Sequence, residues 1–418
     1  VAIITAMQAA PYVHATVGSD YLATPQSLSV LEQCQRGFQE LASAGEDVRK
    51  EQAFLAMRLG TQLLNIEPAR VTPLLEGSLA LYRQLGDRWG QSEALLYLSS
   101  ARLRLQGYQV ARPLWEESLA IKREEGDHRG MAESLAKLGM RAMSHNETAD
   151  AHQYAQECYD TYCRISDRTS QAEAHWNYGV IMAWSGQYAE AKASLREAEE
   201  LYSGLGLRPP ALVLGNVLAM LGEYDAVAEY VKSYQARGGD SDDMPNDARA
   251  YHWLAYVALV HGNLLDAKRL CQEAIITYEA CGLIAFVGIA YCLLALVVGR
   301  LGDSGTAWLY LQKGLHIHQE GGQLGLLGNW LCAPFTAVLL ADSGRLEEAV
   351  SAYAFAASHP MVANSVWYED VAGKVIWAAE SKLESQIVNK TRRRGMEHDP
   401  ALMAEELLEI VDEIAAEY

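Results

Sequence analysis

Few residues in this 418-residue chain have the types and spacing that chemistry needs. His316 and His318 form the one tight histidine pair. On a helix, residues two apart point to opposite sides, so this pair does not make a metal site. Asp240, Asp242 and Asp243 alternate within "RGGDSDDMPND" (237–247). They lack the glycine at the sixth position and the distal glutamate of a calcium loop, so a solvated connection is expected there. "KTRRRG" (390–395) is the one basic cluster. It reads as a helix terminus, where the dipole favours arginine, able to meet an acidic group or a phosphate. No G-x-S-x-G, H-E-x-x-H, paired Cys/His zinc pattern or G-x-x-x-x-G-K-[ST] loop occurs. The chain is therefore expected to have no catalytic residues, no metal, no cofactor and no enzymatic activity.

The bulk properties narrow the partners. A net charge of −19 argues against an electrostatic hold on nucleic acid or an anionic membrane, and favours a basic partner. No apolar run reaches the roughly 18 residues of a membrane span. The opening "VAIITAMQAAPYVHA" has no basic leader region, so a signal peptide is not expected. The seven cysteines are odd in number and form no C-x-x-C, as expected of buried thiols in a reducing cytoplasm.

Stepping along the chain reveals a period. A small residue near the start of a helix recurs at Ala111, Ala151, Ala191, Val227, Ala267, Ala307 and Ala349, with spacings of 40, 40, 36, 40, 40 and 42. "VTPLLEGSLALYRQLGD" from Val71 matches "ARPLWEESLAIKREEGD" from Ala111, which adds one earlier repeat. Each repeat reads as two helices. Asp87, after Gly86, can cap the first; Gln106-Gly107 marks the break; Pro113 sits in the first turn of the second, where its missing N–H costs little. A forty-residue hairpin cannot bury its apolar faces alone, so it must stack on its neighbours. The chain is expected to be all-α, an α-solenoid of about eight hairpins in a right-handed superhelix. The repeats are placed at 46–85, 86–125, 126–165, 166–205, 206–241, 242–281, 282–323 and 324–360. Residues 1–45 form a helical cap or linker, and capping helices fill 361–418.

One repeat is irregular. "GLGLRPPALVLGN" puts Pro209 and Pro210 where neighbouring repeats begin their first helix. Proline removes backbone donors and pushes the preceding residue out of the helical region, so this helix should start near Ala211 and be short. A kink or a pocket is expected beside it.

The pattern resembles the tetratricopeptide repeat. Its first helix carries "KLG", "NYG" and "VLG" ending at Gly139, Gly179 and Gly215, and its second opens with Y-x-x-A, as at Tyr108/Ala111 and Tyr188/Ala191. The forty-residue form, with "GD" joints and the tail "SKLESQIVNKTRRRGMEHDPALMAEELLEIV", is similar to the C-terminal arrays of bacterial STAND-type signalling ATPases and of maltose-operon-activator-like regulators. The resemblance implies a non-catalytic sensor or scaffold that holds a protein or peptide in a concave groove; a small-molecule effector in an enclosed polar pocket is the alternative. Carried over position by position, it lines that groove with Glu93, Glu133 and Glu173, one repeat apart, with Trp176, Val180, His252, Tyr256 and Asn216, and with Arg104, Trp184 and Arg300. Trp176 is the expected anchor, since a desolvated tryptophan is a common source of binding energy.

Overall fold

The structure is a computed structural model, and it describes residues 25–64, 68–237, 243–320 and 326–418. All regular structure among these residues is helical, in an all-α solenoid. The chain divides into two compact bodies, Val1–Gly126 and Asp127–Tyr418.

In the first body, α1 (Pro25–Ser43) precedes two hairpins, α2 (Arg49–Leu63) with α3 (Pro68–Leu85) and α4 (Arg88–Gln106) with α5 (Tyr108–Glu125). The second body holds six hairpins. They are α6 (His128–Ser144) with α7 (Thr148–Ile165), α8 (Arg168–Trp184) with α9 (Tyr188–Gly204), and α10 (Val213–Met220) with α11 (Tyr224–Arg237). Then come α12 (Met244–Val260) with α13 (Leu264–Ala280), α14 (Ile284–Arg300) with α15 (Ser304–Glu320), and α16 (Leu326–Asp342) with α17 (Leu346–Ala356). A short helix α18 (Pro360–Ala363) follows. Next, α19 (Val366–Tyr368) passes through a π-helical stretch, Glu369–Gly373, into α20 (Lys374–Glu380). The chain finishes with α21 (Ser385–Met396) and α22 (Pro400–Ala415).

The repeat is visible in its hydrogen bonds. Asp87, Asp127 and Asp167 each cap a first helix, accepting from the backbone N–H of Gly90, Gly130 and Ser170 at 2.9, 2.9 and 2.8 Å. Ser78, Ser118 and Cys158 donate from the second helix to a first-helix carbonyl of the same hairpin, at Ala53, Ser92 and Ala132. Ala111, Ala151, Ala191, Val227, Ala267, Ala307 and Ala349 are all fully buried, as the close approach of paired helices requires. Gly215 shows why a side chain is excluded: a Cβ there would lie 2.6 Å from Cδ1 of Trp253.

The irregular repeat has the expected shape. The first helix α10 starts only at Val213 and has 8 residues, against 17 in α8 and α12. Its late start leaves the Leu212 N–H outside the helical ladder, where it donates to Asn246 at 3.0 Å, and the indole N–H of Trp253 donates to the Leu212 carbonyl at 3.1 Å. Of the acidic stretch 237–247, residues 238–242 lie outside the described residues, so the reading of Asp240 and Asp242 does too.

Candidate functional site: a first-helix wall and a notch

The predicted groove residues divide between the two bodies. In the first, Glu93 pairs with Lys122 at 3.2 Å; the lysine is almost wholly buried, so this carboxylate serves the packing of its own hairpin. Arg104 is exposed in the last turn of α4, where it complements the helix dipole.

In the second body, Glu133 on α6 is exposed, and Glu173 on α8 is half-buried. Burial raises the Glu173 pKa above the ordinary glutamate value, and the charge of Glu133 adds to the rise, while the Tyr202 hydroxyl, Arg129 and Asn177 act against it. The two carboxylates thus share one electrostatic environment. Trp176, one turn on from Glu173, packs on Ala172, Ala198 and Tyr202. Its indole N–H is buried and has no acceptor. Cys158 lies beneath, its thiol pushed up by burial and by Glu173 and Glu133.

The remaining predicted residues belong to the chain's own packing. Val180 is buried, while Trp184 and Asn216 are half-buried. His252 is enclosed by Trp253, Tyr256 and Tyr278. It was expected on a groove wall and instead lies in the core, neither ring nitrogen having a partner. Tyr256 and Arg300 are likewise claimed from within, by the segment that follows α17.

That segment runs from His359 to Gly373, across the ends of the first helices. Asn364 donates to the Gly186 carbonyl at 3.3 Å, and Tyr188 donates from its hydroxyl to the Met361 carbonyl. Trp367, completely buried, stacks on Tyr256 with ring centroids 4.0 Å apart and donates its indole N–H to the Tyr256 carbonyl at 3.3 Å. Tyr224 donates to Asp370 at 2.7 Å, and Arg300 donates to the Val371 carbonyl at 2.7 Å. At Gly186, with φ +70°, a Cβ would lie 2.3 Å from the Pro360 carbonyl oxygen. The transfer of groove positions assumed open first helices throughout. From Gly186 to Arg300 this strap occupies that side.

A notch opens where α10 is short. The loop at 206–212, α9, α11 and the start of α12 enclose about 300 Å³. Its lining is apolar at Leu207, Pro209 and Leu212, aromatic at Tyr230 and Tyr234, and charged at Glu199, Arg208 and Asp243. Tyr230 donates to Glu199, and Tyr234 donates to Asp247 at 3.3 Å. Asn246 is buried and fully engaged: it accepts from the Leu212 N–H at 3.0 Å and donates to Asp243 at 3.1 Å. Pro209-Pro210 signalled the gap in the sequence. The tyrosines four apart on α11 were the overlooked signal for its wall.

The other chemically suggestive residues are absorbed by the fold. His316 faces Asp412 at 3.2 Å while His318 is buried, so the pair diverges as the helix requires. Within the basic cluster, Arg392 pairs with Glu380 at 2.6 Å and Arg394 with Glu406, so its acidic partners are the chain's own. All seven cysteines are unpaired; Cys158, Cys271, Cys292 and Cys332 are buried, but Cys163, expected inside, is exposed. Among the described residues no three His, Cys, Asp or Glu side chains converge as metal ligands, and no helix is long and apolar enough to cross a membrane.

No protein-family model matches the chain, and no curated protein matches it. Solved structures do. A Rap protein complexed with Competence and Sporulation Factor is 12% identical, covering 88% of this chain and 99% of its own, with a TM-score of 0.54. Aspartyl phosphate phosphatase F from Bacillus subtilis is 14% identical, covering 90% of this chain and 91% of its own, with a TM-score of 0.50. The likeness is one of fold. It supports a tetratricopeptide-like helical array and gives no support to the STAND type in particular.

Proposed function

We propose that the chain is a non-catalytic interaction module, the sensor or scaffold part of a signalling protein, that holds a basic peptide segment of a partner against α6 and α8. The observation that carries this reading is the pairing of Trp176 with Glu173. An indole N–H without an acceptor sits one helical turn from a desolvated carboxylate, itself beside Glu133 one repeat earlier. A peptide supplies a backbone carbonyl for the indole and a cationic side chain that adds to Arg129 beside the carboxylates. Extended segments are commonly bound through such main-chain and side-chain pairs. The net charge of −19 works in the same direction.

The test is selection of peptides from a random library on the immobilised chain, followed by titration. Basic peptides should dominate. Trp176→Ala and Glu173→Gln should each weaken binding about tenfold or more, a loss of roughly 1.4 kcal/mol, with the melting temperature held. Neutral or acidic peptides bound equally well, or binding indifferent to both substitutions, refutes the wall as a site. Saturable ATP binding by calorimetry would contradict the non-catalytic reading.

A further inference from the structure

We infer that the notch beside α10 is a second docking point, built for a single arginine or lysine side chain of a protein partner. The inference rests on the reading of the chain as an interaction module, but on a different surface.

The argument is one of fit and charge. Leu207, Pro209 and Leu212 line the notch with apolar surface, and Glu199 and Asp243 line it with carboxylates. An aliphatic stem with a cationic head matches that lining, the stem against the apolar side chains and the head against the carboxylates. Tyr230 and Tyr234 also line the notch, and aromatic rings attract cations. A wholly apolar ligand would strip water from the two carboxylates and bring no charge towards them, and an anion or a nucleic acid would be repelled by them. The chain provides a stand-in of its own. Arg208 approaches Asp243 to 3.7 Å while its side chain stays 48% exposed, so this carboxylate already receives a guanidinium, on an arm free to swing out. The notch exists because α10 has 8 residues; a full-length first helix would fill it. No other described repeat has so short a first helix, so the site occurs once in the array.

The probe is a dye-labelled peptide, Gly-Leu-Arg-Leu-Gly capped at both ends, titrated into the full chain by fluorescence polarisation. Its counterpart has citrulline, a neutral isostere, for the arginine. The arginine peptide should saturate, and citrulline should weaken it about tenfold, the scale of one lost charge pair. Asp243→Asn and Glu199→Gln should each weaken the arginine peptide and leave the citrulline peptide unchanged. Arg208→Ala should tighten it, because a competing cation is gone. Equal affinity for both peptides means an apolar slot and overturns the inference. So does weaker binding by Arg208→Ala, which would mark an anion site, and so does failure of the arginine peptide to saturate. Should Asp243→Asn disturb the loop, visible by circular dichroism, Glu199→Gln on α9 decides alone. Peptide binding at the Trp176 wall, retained while the notch fails, separates this inference from the functional reading above.

Discussion

Ser166 stands where the preceding repeats have Gly86 and Gly126, and all three adopt left-handed backbone, with φ of 63°, 66° and 69°. That conformation costs a residue with a Cβ roughly 1–2 kcal/mol, less the extra chain entropy that glycine loses on folding. Ser166→Gly is therefore expected to stabilise the chain by about 0.5–1 kcal/mol, read as a higher denaturation midpoint in urea. An unchanged or lower midpoint would contradict it. Three buried histidines set a second expectation at this scale. Burial lowers His252 to about 3 and both His318 and His359 to about 4, so all are neutral in the folded chain at neutral pH. The unfolded chain takes up protons at the ordinary pKa near 6.5, while the folded chain does not. Stability is thus intact above that pH and falls with acidification, by about 1.4 kcal/mol per histidine at pH 5.5. Urea midpoints should drop between pH 7 and pH 5.5, and a His252→Gln variant should show a shallower drop. A flat profile would mean that the imidazoles reach water.

Two glycines separate helix propensity from packing at the scale of the element. Gly77, within α3, has open space where a Cβ would be, so Gly77→Ala should stabilise by about 1 kcal/mol. Gly215, within α10, faces Trp253 at 2.6 Å, and Gly215→Ala should destabilise by about 1–3 kcal/mol despite the better helix former. Thermal melts of the two variants should move in opposite directions. The hairpins themselves were legible because forty-residue spacing, capping aspartates and helix-breaking glycines all repeat; the late start of α10 was legible because proline acts locally. The strap was not. Trp367 and Tyr256 are 111 residues apart, and no local rule links "NSVWYED" to the end of α12. The strap takes up Tyr256 and Arg300, which the resemblance places on the groove wall, while His252 is enclosed by Trp253, Tyr256 and Tyr278 of its own hairpin. Trp176 and Glu173 lie outside the strap's contacts, and only their own hairpin and its neighbours decide their surroundings.

In the second body, the strap gathers the ends of successive first helices onto one segment. Trp367→Ala removes a fully buried indole and should cost about 3–5 kcal/mol, as for large core aromatics generally. Its effect should also reach further than its contacts. Amide exchange at the Gly186 and Gly222 turns should quicken together with that of 360–373, since both turns are backed by the strap. Faster exchange confined to 366–368 would mean that the turns hold without it. The segment 203–237, where α10 covers less of its neighbours, is expected to exchange faster than α6–α8 in the unaltered chain, and uniform protection would refute that.

The hydrogen bond from Asn364 to the Gly186 carbonyl spans 178 positions of sequence. In an open-ended repeat protein each unit touches only its neighbours, so duplication or loss of a unit lengthens or shortens the array and leaves the rest intact. Here the strap measures a fixed distance along the stack. Inserting one more consensus hairpin between α9 and α17 would carry Gly186, Gly222 and Tyr256 out of register with Asn364, Val366 and Trp367. The copy number of hairpins in this stretch is therefore locked, and gain or loss of a repeat, harmless in an open array, would break the strap's contacts.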